Sequence, residues 1–189
     1  MKKFNLLVVA LLISSGLFAQ SKWRLDKAHA KVGFAVKHMM LSSVDGYFKK
    51  FDASIISSKE DFGDAVFEVT IETASVSTDN DSRDKDLRSA HFFDVAKFPQ
   101  ITFKSTSVEK VDDKTFKVAG NLTIHGVTKP VKLDLTLSSK GKSTATKKPV
   151  AEFKVTGKIN RTDFGVGSDP AAMIGDEITL KVNGEFEQE

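Results

Sequence analysis

Phe116 to Leu137 reads FKVAGNLTIHGVTKPVKLDLTL. Phe116, Val118, Gly120, Leu122 and Ile124 alternate with Lys117, Asn121 and Thr123. After the short connection His125–Lys129, Val131, Leu133, Leu135 and Leu137 alternate with Lys132, Asp134 and Thr136. A period of two over such lengths predicts two strands, each with one apolar and one polar face. Strands of that kind belong to antiparallel sheets wetted on one side.

The same period recurs on both sides. Toward the N-terminus it runs through Val32, Phe34 and Val36, and through Phe67, Val69 and Ile71. A short instance follows at Ile101 and Phe103. Toward the C-terminus it runs through Phe153, Val155, Gly157 and Ile159, and through Ile178, Leu180, Val182, Gly184 and Phe186. Tyr47, Phe51, Ala53 and Ile55 alternate less cleanly around Lys49 and Lys50. The chain is therefore expected to be mainly β, with eight strands in a closed antiparallel up-and-down barrel. A two-sheet sandwich has the same strand count. Interior glycines at 120, 157 and 184 favour the barrel, where curvature or close backbone approach requires them.

One stretch breaks the pattern. Arg83 to Phe103, RDKDLRSAHFFDVAKFPQITF, lies between the third and fourth strands. Asp79, Asn80, Asp81 and Ser82 offer N-caps, Asp84 and Arg88 stand four apart, and Pro99 ends the segment. A short helical lid is expected there, since long connections inside compact β domains are usually functional. If the strands alternate up and down, the lid, the turn after His38, the His125–Lys129 connection and the Arg161–Gly175 loop share one end. That end is the expected mouth. Trp23 is expected to plug the other end.

Residues 1–19 form a separate unit. Lys2 and Lys3 precede an apolar run from Phe4 to Phe18, and Ala19 offers a small residue for cleavage. That is the pattern of a secretory signal peptide, leaving 20–189 as one domain. The chain has no cysteine, so an exported form relies on its core rather than on disulfides. The net charge of +3 comes from 28 basic and 25 acidic residues. Without Lys2 and Lys3 it falls to 26 against 25, which gives no nucleic-acid signal. The cluster Lys140, Lys142, Lys147 and Lys148 reads as a solvated loop, or as a weak attraction to anionic lipid at a membrane surface.

Catalytic and metal motifs are lacking. His29, His38, His91 and His125 form no close pair with metal-ligand spacing. There is no nucleophile elbow or phosphate loop. No catalytic residue, metal ligand or cofactor is expected. The inward faces supply an apolar set: Phe34, Val36, Phe51, Phe67, Val69, Ile71, Phe103, Leu122, Ile124, Leu133, Leu135, Phe153, Val155, Leu180 and Val182. A barrel of eight strands is either just filled or holds one small ligand. A filled barrel needs no lid, so the lid favours a ligand.

Separated motifs then carry a resemblance. WRLDKAH at Trp23–His29 runs into VGFAVKH at Val32–His38, followed by Gly46 and Phe48. ASVST, RDKDLRS, FFD and FPQITFKS follow at 74–78, 83–89, 92–94 and 98–105. LTIHGVTKPV stands at 122–131 and NRTDFGVG at 160–167. Together these resemble the YceI-like family of polyisoprenoid-binding proteins over residues 22–187. Asp86 departs from the family pattern, which favours histidine there.

The resemblance implies a lipocalin-like, non-enzymatic protein, periplasmic or secreted, with a pocket for an isoprenoid lipid or quinone tail. Its oligomeric state is open. Under it, the apolar set holds the chain. His38, Arg83, Arg88 and Arg161 are head-group candidates. Met39, Met40, Leu87, Phe92 and Phe93 close over the chain, and Asp163 lies among the mouth residues. The alternatives are a secreted stress-response or interaction barrel without ligand, and a lipid-modifying enzyme.

Overall fold

The computed structural model describes residues 20–189; the expected signal peptide, residues 1–19, lies outside them. The strands are β1 (Ser21–His38), β2 (Ser42–Phe48), β3 (Phe51–Ser57), β4 (Val66–Glu72), the two-residue β5 (Val76–Ser77), β6 (Gln100–Lys110), β7 (Thr115–Ile124), β8 (Val127–Lys142), β9 (Pro149–Asn160) and β10 (Ile174–Gln188). One helix, α1 (Asp81–Arg88), lies between β4 and β6, where the lid was expected.

Neighbouring strands pair antiparallel in chain order, and β1 closes on β10 from Trp23↔Gln188 to His38↔Ile174. This is a closed barrel of eight staves, because β2 and β3 are two halves of one stave. β2 pairs with the upper part of β1, down to Val32↔Phe48. β3 pairs with the lower part, from Arg24↔Ser54 onward. Between them the chain bends at Lys49 and Lys50, and the inward face changes parity. Phe48 faces the core above the bend; Phe51 and Ile55 do so below it. Tyr47, expected inward, instead points out and donates a 2.9 Å hydrogen bond to Asp79.

The quoted pair forms β7 and β8, joined by a tight turn. His125 and Gly126 both have positive φ, 51° and 73°, as a type I′ hairpin turn requires. The interior glycines serve close approach. A Cβ on Gly120 would stand 2.5 Å from Cζ of Phe103, whose ring lies across the backbone. Leu133 covers Gly157 in the same way.

The two ends differ as the alternation predicts. Connections 39–41, 73–99, 125–126 and 161–173 meet at the mouth; 58–65, 111–114 and 143–148 lie at the other end. Trp23 lies near the start of β1 and is buried at the far end, as expected. It shares the plug with Phe62, whose ring lies 5.2 Å from Trp23 and 5.1 Å from Phe153.

Candidate functional site

The barrel encloses a cavity of about 250 Å³. It reaches from Phe92, Val166 and Ile174 under the mouth to Leu135, Phe153 and Phe186 near the plug. Among the described residues, Arg161 and Asn183 are the only polar residues that line it. Several large wall residues, among them Phe34, Phe51, Val69, Leu180 and Val182, keep part of their surface uncovered although they face inward. Interiors packed to crystal-like density leave no such surface, so this core is hollow. Polar groups are too few for ordered water, which needs two to four partners. The space suits an apolar chain.

The lid is built by polar groups turned toward its own backbone. Asn80 caps α1 by accepting from the Arg83 amide at 3.0 Å. The buried Asp84 carboxylate accepts from the Thr78 amide at 2.7 Å and the Thr78 hydroxyl at 2.6 Å. Burial raises the Asp84 pKa. Hydrogen bonds from Thr78 and Ser77, with the Arg88 cation nearby, outweigh burial and hold the carboxyl below its ordinary value. Arg83 donates to the hydroxyl and carbonyl of Thr78, at 2.7 and 3.0 Å. Arg88 donates to the carbonyls of Ala74 and Val76, at 2.8 and 2.7 Å. Asp84 and Arg88, spaced as an ion pair, thus bind backbone instead of each other.

Arg161 does the same for the β9–β10 loop. It is 4% exposed and donates to the carbonyls of Val166, Gly167, Asp169, Ile174 and Gly175, and to Asp176. All its donor nitrogens are occupied, so it organises the rim of the cavity and has no spare hydrogen bond for a head group. A second tie crosses the mouth: His91 Nε2 lies 2.8 Å from the Asp169 carboxylate, joining the lid segment to this loop.

The structure separates the expected site residues into two groups. Every residue of the apolar set, from Phe34 to Val182, lines the cavity. Leu87, Phe92, Phe93 and Arg161 line it as well. Phe92 is more core than cover, being buried with Ile101 and Phe164 in one cluster. His38, Met39, Met40, Arg83, Arg88 and Asp163 do not line the cavity. For Arg83 and Arg88 the reason is their carbonyl partners.

Met39 and Met40 form the exposed tip of the β1–β2 turn, 55% and 78% exposed, both with positive φ. With Leu41 and Met173, whose carbonyl accepts from the Met39 amide at 2.8 Å, they make an apolar knob beside the mouth.

Sequence reading missed several wall residues. Phe48 escaped because parity changes at Lys49–Lys50; two phenylalanines three apart around a lysine pair were the signal. Phe164 and Val166 come from a loop without strand period, and Ile174 opens β10 ahead of the alternation that begins at Ile178. Outside the barrel, the β1 bulge brings Asp26 and His29 together with Glu185, ligand atoms within 4.8 Å, as a half-buried cluster with the geometry to hold a metal ion.

Comparison with known proteins places this geometry. Residues 23–186 match the YceI-like domain. The chain is 41% identical to Protein YceI of Salmonella newport (strain SL254), covering 97% of this chain and 98% of that one. A Campylobacter jejuni YCEI protein is 36% identical with a TM-score of 0.74, over 87% of this chain and 96% of that chain. Burkholderia cenocepacia BcnA has a TM-score of 0.77 at 25% identity, over 85% and 98%. A polyisoprenoid binding domain from Saccharophagus degradans shares the fold at 17% identity, with a TM-score of 0.64 over 88% and 98%. The barrel, its motifs and these relatives lead to one conclusion: the chain belongs to the YceI-like family.

Proposed function

We propose that the protein is an exported carrier that holds the chain of an isoprenoid lipid, either a polyprenyl chain or a quinone tail, inside its barrel. The observation that carries this reading is the hollow apolar core of about 250 Å³ beneath a lid. A cavity lined almost wholly by apolar groups favours hydrocarbon and disfavours polar ligands, whose groups would lose water without replacement. The polyisoprenoid-binding neighbour supports a prenyl chain as the hydrocarbon. The leader at residues 1–19 supports export to the periplasm or beyond.

The knob of Met39, Met40, Leu41 and Met173 supports exchange with a membrane, since exposed apolar groups beside a lipid cavity can enter a bilayer surface. The lysines at 140, 142, 147 and 148 belong to the opposite end and have no part in that contact.

A chain-length series tests the proposal. Binding of prenyl alcohols with two to eight isoprene units is followed by calorimetry. Each buried methylene contributes about 0.8 kcal/mol. Affinity therefore rises by on the order of a hundredfold or more per fully buried five-carbon unit, then levels off when the cavity is full. Absence of binding, or affinity independent of length, overturns the carrier reading.

A further inference from the structure

A second concavity adjoins the cavity through the barrel wall. β1 pairs with β2 only down to Val32↔Phe48, and with β3 only from Arg24↔Ser54. Between these ladders, residues 25–31 and 49–53 face each other without strand pairing. A groove of about 710 Å³ opens there on the outside of the barrel. Phe48 and Phe51 line both this groove and the apolar cavity. Those two rings are therefore the partition between them.

The groove differs from the cavity in charge. Lys27, Lys31, Lys49 and Lys50 line it, against Asp52 and Glu72, an excess of two positive charges. Lys27 pairs with Asp52 at 2.9 Å and Lys50 with Glu72 at 3.3 Å. Lys31 and Lys49 form no salt bridge among the described residues. The Lys31 ammonium stands 5.3 Å from the centre of the Tyr47 ring, which places it without neutralising it. The arginines of the mouth are engaged with backbone carbonyls. Lys31 and Lys49 are thus unpaired cations on the outer side of the Phe48–Phe51 partition, across from the hydrocarbon space.

We propose that the groove is a seat for the phosphate or diphosphate of a prenyl amphiphile whose chain passes between Phe48 and Phe51 into the cavity. The proposal rests on the carrier reading and adds a head-group class and a second way in. Lysine is a point-charge phosphate ligand suited to such a seat. Two unpaired lysines match the charge of a phosphate dianion. The ladder gap lets the rings part without breaking strand hydrogen bonds. A quinone, having no charge, gains nothing from the seam.

The test compares geranylgeranyl diphosphate, geranylgeraniol and inorganic diphosphate by calorimetry. The proteins are wild type, Lys31→Gln/Lys49→Gln, and Lys37→Gln/Lys85→Gln, which removes equal charge at the mouth end. The groove variant is expected to bind the lipid diphosphate roughly tenfold or more weakly, about 1.4 kcal/mol per decade. Its dependence on salt becomes shallower, and its affinity for the alcohol is unchanged. The mouth variant is expected to behave as wild type.

Unchanged diphosphate binding in the groove variant, or a loss confined to the mouth variant, overturns the proposal. An equal loss for the alcohol also overturns it, because the lysines then act through the fold. Inorganic diphosphate binding as tightly as the lipid makes the groove a free-anion site and overturns the lipid assignment. If wild type binds the alcohol but not the diphosphate, only the seam fails. If it binds neither lipid, the carrier reading fails and the seam falls with it.

Discussion

Filling the cavity from its wall should weaken ligand binding without weakening the fold. Val155 lies between Leu135 and Val182 on the inner face and lines the cavity, as does Val69 on the far side of the sheet order. In a filled core, Val155→Phe would force strain costing about 1–3 kcal/mol. At about 2–4 °C per kcal/mol for a chain of this size, melting would fall by several degrees. In a hollow core the added ring enters empty space and gains dispersion contacts, so melting stays level or rises.

The ring displaces roughly two methylenes of ligand, costing about 1.6 kcal/mol, or about fifteenfold in affinity. The double variant Val69→Phe/Val155→Phe should lose roughly a hundredfold or more if the sites act independently. Calorimetric melting of the lipid-free protein and titration with a prenyl alcohol measure both quantities. Melting that falls while binding holds would refute the reasoning, since the space beside Val155 would then not be ligand space.

Three further outcomes follow from the same geometry. Leu133→Asp, which puts an unpaired carboxylate on the inner face, should unfold the protein or abolish lipid binding, while the outward Lys132→Asp should change melting by less than about 0.5 kcal/mol; circular dichroism melts compare the two. Met39→Asn/Met40→Gly should raise stability by roughly 1–2 kcal/mol, because residues that tolerate positive φ replace two methionines held there. The same change should slow lipid transfer from vesicles, read by a fluorescent prenyl probe; transfer at the wild-type rate removes the knob from the mechanism.

Asp84 links the lid to pH. Its carboxyl is depressed in the folded state, so its stabilisation is present above the ordinary carboxylate pKa of about 3.9 and is lost as pH falls through the folded value. Asp84→Asn should therefore melt lower than wild type at pH 7, and the gap should close below about pH 4. A gap independent of pH would mean that the charge is immaterial.

Periodicity carried most of the fold. From β7 and β8 the alternation extends through every stave, and the apolar set identified by parity all faces the cavity. Parity failed at Lys49–Lys50, where a bend inside one stave exchanges inner and outer faces and hides Phe48 while exposing Tyr47. The lid helix was legible from Asn80 and the charges after it, because capping is local.

The partners of Arg83, Arg88 and Arg161 were not legible. Each binds carbonyls of loops whose course depends on tertiary packing, and a sequence shows only the cation. The left-handed backbone at Met39–Met40 was hidden for a related reason: nothing in two methionines announces positive φ. Whether the barrel is hollow rested on the lid alone, since side-chain volumes do not report the radius they have to fill.

The central claim, that the hollow core holds an isoprenoid chain, is tested most directly by native mass spectrometry. The protein is produced with residues 1–19 in place in a bacterial host, purified without detergent, and its bound material is released and fragmented. The account predicts one lipid per chain, with fragments spaced by the five-carbon isoprene unit, and its loss from the Val69→Phe/Val155→Phe protein. A protein that carries no lipid and takes up none from prenyl-containing vesicles would contradict it.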